Sequence, residues 1–201
     1  MASHTQTDNA FFNAKLNLRR YFLRTYYGTG QFSVFDGCRG SGRIWETLRK
    51  EHPCHYWGVD VKPSPGRMKI NSARVLAQPG WDFDVIDIDT YGSPWKHWVA
   101  LLPHVRKPIV VFLTIGQLRI GGGAVDKEAV KAIGLDALPS LPGTIKTAVV
   151  QRIGLPAMLA LARHHNLLLS DCREMTTASV TARYVGARLS PSGVTTQPSD
   201  Y

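Results

Sequence analysis

The hydrophobic pattern changes period several times along the chain, and each change marks an element. From Asn9 to about Tyr27, Phe12, Leu16 and Leu23 recur near helical spacing with Phe11, Leu18 and Phe22 beside them, which predicts an N-terminal helix. Gly28 and Gly30 end it. Phe32 to Phe35 is an apolar run without alternation, the pattern of a strand buried on both faces. A helix over Arg43 to Lys50, closed by Pro53, and a second strand over Tyr56 to Val61 follow. Lys62-Pro63-Ser64-Pro65-Gly66 predicts a turn. Met68 to Ile70 reads as a short third strand, and a helix from Asn71-Ser72 stops by Pro79-Gly80. Strands four and five are Phe83 to Ile88 and Pro108 to Ile115, with a helix from about Trp95 to Leu102 between them.

The connection from Gly116 to about His165 is long. It holds Gly121-Gly122-Gly123, a short helix over Asp126 to Ile133, a turn over Leu138 to Gly143, and a long helix from about Thr144 to His164. Pro156 is expected to kink or split that helix. Its first part, 116–144, reads as a lid insertion. Strands near Leu167 to Ser170 and Ala178 to Ala187 read as an antiparallel pair.

The expected fold class is therefore α/β: a Rossmann-like three-layer sandwich, mostly parallel, with an antiparallel C-terminal strand pair. One such domain spans 31–189, preceded by the basic helix region 9–30 and flanked by polar segments 1–8 and 190–201 that read as disordered. Right-handed crossovers put the C-terminal ends of the parallel strands on one edge. Gly40, Asp60, Asn71, Asp89 and Gly116 converge there.

Composition refines this picture. The chain has 201 residues, enough for a full sheet with helices on both faces, and its 44% hydrophobic content is that of a globular protein. Formal net charge is +9, which favours polyanionic partners, nucleic acid first. The N-terminal helix carries Lys15, Arg19, Arg20 and Arg24 without an acid, so it is either a phosphate-tracking surface or a sheet-covering helix with a solvated basic face. Tyr26 and Tyr27 at its end are candidates for stacking on bases. Cys38, Cys54 and Cys172 form no CxxC pair, which argues against a zinc site or a disulfide framework and fits a reducing, cytoplasmic setting. No apolar run approaches the roughly 20 residues of a membrane helix. No histidine spacing suggests a metal.

Val34-Phe35-Asp36-Gly37-Cys38-Arg39-Gly40-Ser41-Gly42 carries the first chemistry. Gly40 and Gly42 allow a strand-to-helix turn whose backbone approaches a ligand. Asp60 closes strand two about 20 residues later, where a carboxylate meets ribose hydroxyls. A dinucleotide fold wants a third glycine at position 45, where Trp45 stands, and Asp36 suits a cationic ligand better than a pyrophosphate. The segment resembles motif I of the class I S-adenosylmethionine-dependent methyltransferases, with Cys38 in place of the first glycine of the commoner form. That resemblance implies S-adenosylmethionine as cofactor. Asp36, Gly37, Cys38, Gly40, Gly42, Asp60 and Val61 would line its site, with Asn71 near the adenine.

Asp87-Ile88-Asp89-Thr90-Tyr91-Gly92-Ser93-Pro94 resembles the D-x-D-P-F/Y-G-S-P motif of the tRNA guanosine dimethyltransferases and the related motif of nucleic-acid amino-methyltransferases. Thr90 stands where that motif has proline. The resemblance implies direct methyl transfer to an exocyclic amine, with Asp89 holding the amine and Tyr91 stacking on the base. Ser93, Pro94, Trp95, Arg19 and Arg20 are the expected substrate contacts, and Asp87 is read as structural on the argument that it points away from Asp89. The expected partner is RNA or DNA, with a specificity subunit or self-association left open. A small-molecule or protein methyltransferase, and a non-catalytic cofactor-binding subunit, are the alternatives. Asp89 also has a plain reading, as a cap for the helix starting at Trp95.

Overall fold

The computed structural model describes residues 11–62, 68–90, 94–116, 143–176 and 182–193, without the side chains of 116, 143–153, 176 and 182. The turn at 63–67, most of the expected lid with its glycine triplet and helix, and the segments 1–8 and 194–201 lie outside the described residues. The elements are α1 (Phe12–Tyr26), β1 (Ser33–Asp36), α2 (Arg43–Glu51), β2 (His55–Asp60), β3 (Met68–Lys69), α3 (Ser72–Leu76), β4 (Val85–Ile88), α4 (Trp95–Leu101) with a 3-10 turn at Leu102–His104, β5 (Ile109–Gly116), α5 (Gly143–His164), β6 (Leu167–Thr176) and β7 (Ala182–Pro191).

The seven strands form one sheet in the order β3-β2-β1-β4-β5-β7-β6. The first five are parallel, and β7 runs antiparallel between β5 and β6. The Rossmann-like architecture is as the pattern predicts, but three boundaries differ. β6 extends past Ser170 to Thr176, because a bulge between Ser170 and Arg173 interrupts its alternation without ending it. Asp171 sits in that bulge with a left-handed φ of 42°. β7, described from Ala182, reaches Pro191, so Ser190, buried and paired with Leu168, belongs to the sheet rather than to a disordered tail. Gly143–His164 is a single helical element with Pro156 inside it, so proline does not split it.

Each face of the sheet has its own core. On one, Phe35, Ile86, Ile88 and Leu113 pack with Trp95 and Trp98 of α4 and with Met158 and Leu161 of α5. On the other, Val34, Val85, Val110 and Phe112 pack with Leu16, Phe22 and Leu23 of α1 and with Trp45 and Leu48 of α2. Strand residues two apart share a face, so Asp36, Asp87, Asp89 and Thr114 all lie on the α1 side of their strands.

α1 closes where Tyr27 N–H and Gly28 N–H both donate to the Leu23 carbonyl at 3.0 Å. Gly28 has a φ of 51°, the left-handed conformation that favours glycine at a helix end. The helix runs against the direction of β4: Lys15 reaches Asp89, Arg19 reaches Asp87, and the Tyr27 hydroxyl donates to the Asp84 carbonyl at 2.7 Å. Four residues of helix rise about 6 Å and two of strand about 6.6 Å, so the two ladders match. Gly186 of β7 makes this close seat possible: a Cβ there would lie 2.6 Å from Phe22 and 3.1 Å from Phe112.

Candidate active site at the C-terminal edge of the sheet

The loop leaving β1 is built by its backbone. Gly37 N–H donates to the Asp87 carbonyl at 2.9 Å, Arg39 N–H to the Val59 carbonyl at 3.0 Å, and Gly42 N–H to the Arg39 carbonyl at 2.8 Å. The loop is thereby tied to both neighbouring strands. Gly40 and Gly42 have φ values of 53° and 80°, and Gly42 starts α2. Gly37 is needed for contact: a Cβ there would meet Ser72 Cβ at 2.9 Å. Ser72 Oγ in turn lies 2.8 Å from His97 Nε2, which joins the start of α3 to α4 beneath the loop. Burial, with Lys96 nearby, lowers the pKa of His97.

Asp36 is buried below this loop, accepting from the Tyr56 hydroxyl at 2.8 Å and from Cys38 N–H at 3.2 Å. Burial and the neighbouring Asp87 push its carboxyl up to about 8, against those two hydrogen bonds. Burial likewise pushes the Cys38 thiol up, which favours its neutral form. Asp60 accepts Gly40 N–H at 2.9 Å on one oxygen and Lys62 N–H at 2.8 Å on the other, linking the end of β2 to the loop. Val61 next to it is 56% exposed, an uncovered apolar side chain beside a carboxylate. Asn71 caps α3, its side-chain oxygen accepting Ala73 N–H at 3.1 Å.

The exit of β4 holds two ion pairs. Arg19 donates from Nε and Nη2 to the two oxygens of Asp87, both at 2.7 Å, and Trp45 Nε1 adds a third bond at 2.7 Å. These side chains are 2% and 3% exposed. One rung further, Lys15 Nζ donates to both oxygens of Asp89, at 2.9 and 2.6 Å, and the Thr114 hydroxyl donates to Oδ1 at 2.6 Å. Lys15 Nζ also lies 4.8 Å from the centre of the Tyr184 ring. Burial would raise the Asp89 pKa, but Lys15, Arg19 and the Thr114 hydrogen bond outweigh it, and the net shift is down. Asp89 is therefore held in its ionised, hydrogen-bond-accepting form at neutral pH. Thr90, in the place of the expected proline, turns its hydroxyl to the Thr114 carbonyl at 3.3 Å.

The described fold superimposes on Trm1 from Pyrococcus horikoshii, in its complex with S-adenosyl-L-methionine, with a TM-score of 0.59 at 16% identity, over 90% of this chain and 54% of that one. Magnesium protoporphyrin IX methyltransferase from Synechocystis PCC 6803 with bound SAM gives 0.54 at 10% identity, over 94% and 85%. The 1,6-didemethyltoxoflavin-N1-methyltransferase of Burkholderia thailandensis gives 0.53 at 12% identity, over 94% and 81%. The fold is that of the class I S-adenosylmethionine-dependent methyltransferases. The chain spans about half the length of the Pyrococcus protein and most of the other two. No protein-family model and no curated protein sequence matches it.

Within this methyltransferase fold the expected site residues fall into four groups. Gly37, Cys38, Gly40, Gly42, Asp60 and Val61 share the loop and the end of β2. Asp89 stands at the next strand end on the same edge. Tyr91 and Ser93 lie outside the described residues. The rest are placed otherwise than expected. Trp95, read as a mouth residue, is 3% exposed in the α4 core, because the helix turns its indole toward the sheet. Pro94 precedes α4 as its cap and is buried. Arg19 does not face a phosphate backbone; it is sealed against Asp87. Arg20 pairs with Glu51 of α2, with Nε to Oε2 at 2.8 Å. Tyr27 stacks on Phe32, and Tyr26 donates to Asp171 at 2.9 Å under Arg188, at the opposite end of α1 from the site. Asp87 is structural, but not by pointing away from Asp89: both face α1. Asn71 spends its side-chain oxygen on the helix cap.

Lys15, Thr114, Tyr184 and Tyr56 were not singled out as site residues. For Lys15 a signal existed: cations four apart on a helix match acids two apart in an otherwise apolar strand. Thr114 and Tyr184 come together only through the β5–β7 pairing, where they are direct partners. Among the described residues no cluster of three or more His, Cys, Asp or Glu could hold a metal, and no helix is long and apolar enough to cross a membrane.

Proposed function

We propose that the chain is an S-adenosylmethionine-dependent methyltransferase acting on an amine, with an exocyclic amine of an RNA or DNA base as the favoured acceptor. The observation that carries this reading is Asp89: a carboxylate kept ionised at the strand end beside the glycine loop, in a fold whose neighbours include SAM-bound methyltransferases.

The residues present fit an adenosine-type cofactor. Among the described residues the Cβ position of Gly40 has only the Cys38 carbonyl nearby, at 3.8 Å, which leaves room for a ligand. Each Asp60 oxygen keeps lone-pair capacity beyond its amide bond, which suits ribose hydroxyls, and exposed Val61 offers an apolar surface for a purine. When bound, this cofactor supplies an electrophilic methyl on a sulfonium centre. Asp89 accepts an N–H of the acceptor and orients the nitrogen lone pair. Asp89 would take that proton as the nitrogen is methylated and release it to water.

Two fold neighbours are named for 1,6-didemethyltoxoflavin and magnesium protoporphyrin IX, which supports a second reading, a free heterocyclic acceptor. The test is methyl transfer from labelled SAM to total RNA, DNA or a metabolite extract, with SAM binding followed by calorimetry. Label in nucleic acid supports the first reading and label confined to the extract the second. No SAM binding sinks both.

A further inference from the structure

We infer that Lys15 and Asp89 act as one reading edge, in which Asp89 accepts the N–H of the acceptor amine while Lys15 donates to the ring nitrogen or carbonyl beside it, so that the acceptor is an amino-substituted nitrogen heterocycle. This inference rests on the methyl-transfer reading above and narrows its substrate.

The geometry of two neighbouring pairs carries it. An ionised carboxylate has about four lone-pair sites. Asp87 uses three on Arg19 and Trp45 and is sealed from solvent. Asp89 also uses three, on Lys15 and Thr114, but its side chain is 18% exposed and that of Lys15 is 14% exposed. A ligand approaching this edge meets an acceptor and a cationic donor side by side. An ammonium has three N–H bonds, of which two point at Asp89, while the Tyr184 face steadies the charge from the side. One donor and one acceptor are thus left for a partner, counted among the described residues.

Such a pair is complementary to a group that carries its own donor and acceptor in adjacent positions. The exocyclic amines of adenine, cytosine and guanine each stand next to a ring nitrogen, and base edges are read through such neighbouring groups. An aliphatic amine has no neighbouring acceptor and would leave Lys15 idle. Lys15 is also the less rigid choice: an arginine here would close Asp89 by a bidentate fork, as Arg19 closes Asp87. The same edge fits a base flipped out of a nucleic acid and a free nucleoside.

The experiment uses RNA oligonucleotides and free nucleosides containing adenosine, cytidine or guanosine. Each is compared with its deaza counterpart, in which C–H replaces the ring nitrogen beside the amine. The wild-type chain should transfer methyl to one parent about 10- to 100-fold faster than to its deaza analogue. Lys15→Met also unpairs Asp89 and should slow both acceptors, but it should slow the parent more, so that the preference disappears. Should Lys15→Met not fold, as judged by circular dichroism and thermal unfolding, Lys15→Gln, which keeps a neutral N–H, should retain part of the preference. Equal rates on parent and deaza acceptors, an undiminished preference in Lys15→Met, or an equal loss on both acceptors would overturn the inference while leaving methyl transfer standing. A best acceptor that is an aliphatic amine, such as spermidine, does the same. Failure to bind SAM overturns the underlying reading and this one with it. Oligonucleotide against nucleoside turnover separates the two sources of the heterocycle.

Discussion

Two acids two residues apart on β4 meet two cations four residues apart on α1, yet the rungs differ in kind. Arg19–Asp87 is closed: a planar fork, a tryptophan N–H and almost no exposed surface. Lys15–Asp89 is open: a point charge, a threonine hydroxyl and partial exposure. A step of two residues along one strand converts a structural fixture into a candidate reaction centre. What changes is the access to the carboxylate: each accepts three hydrogen bonds, but only Asp89 is open to a partner. An acid can serve a substrate only if the fold leaves it something to accept.

The sharpest way to break this contrast is at the closed rung. Arg19→Met leaves Asp87 buried without its partner and should lower unfolding stability by about 3–5 kcal/mol, measured by denaturant titration. Removing both charges together, Arg19→Met with Asp87→Leu, should recover most of that loss. At the open rung the effect should fall on catalysis. Asp89→Asn is expected to cut methyl transfer on the order of 10²-fold with much of the SAM affinity intact, seen by single-turnover kinetics alongside calorimetry. If the two variants exchanged phenotypes, the division between fixture and reaction centre would be wrong.

A third expectation concerns pH. Folded Asp36 holds its proton up to about 8, whereas an unfolded aspartate gives it up near 3.9. The folded chain thus binds more protons across that window, and stability should fall as pH rises from about 4 to about 8. Asp89 works with the opposite sign: its lowered pKa contributes stability above about 4 that is lost as the solution is acidified. Asp36→Asn should flatten the first slope and leave the second, as read from thermal unfolding across pH. The smallest effect belongs to the exposed rim. Arg20→Ala breaks the pair with Glu51, and should cost no more than a few tenths of a kcal/mol.

The layered fold was legible because buried parallel strands announce themselves as apolar runs and their glycine exits as breaks. The loop from Gly37 to Gly42 and the acid at Asp60 were legible for the same reason: they sit at fixed distances from strand ends. The other half of the site was not. Lys15 was read as part of a solvated or phosphate-seeking stripe because helix periodicity says which residues share a face, not what that face meets. Trp95 was assigned to a mouth by its neighbour Pro94, although the rotation of α4 sends it inward. Thr114 and Tyr184 are joined by a pairing between strands separated by the long connection, which no local pattern encodes. Ser190 reads as part of a polar tail because nothing in its local sequence shows that β7 still pairs there with Leu168.

Gly186 bears on all of this from a distance. Its bare Cα is the notch into which Phe22 drops, and Phe22 sits one turn along the same rigid rod from Arg19 and two from Lys15. A single methyl group in that notch would tilt the rod and withdraw both cations from their acids at once. The geometry of the candidate site therefore depends partly on a position on β7, behind α1, that only the smallest residue can fill.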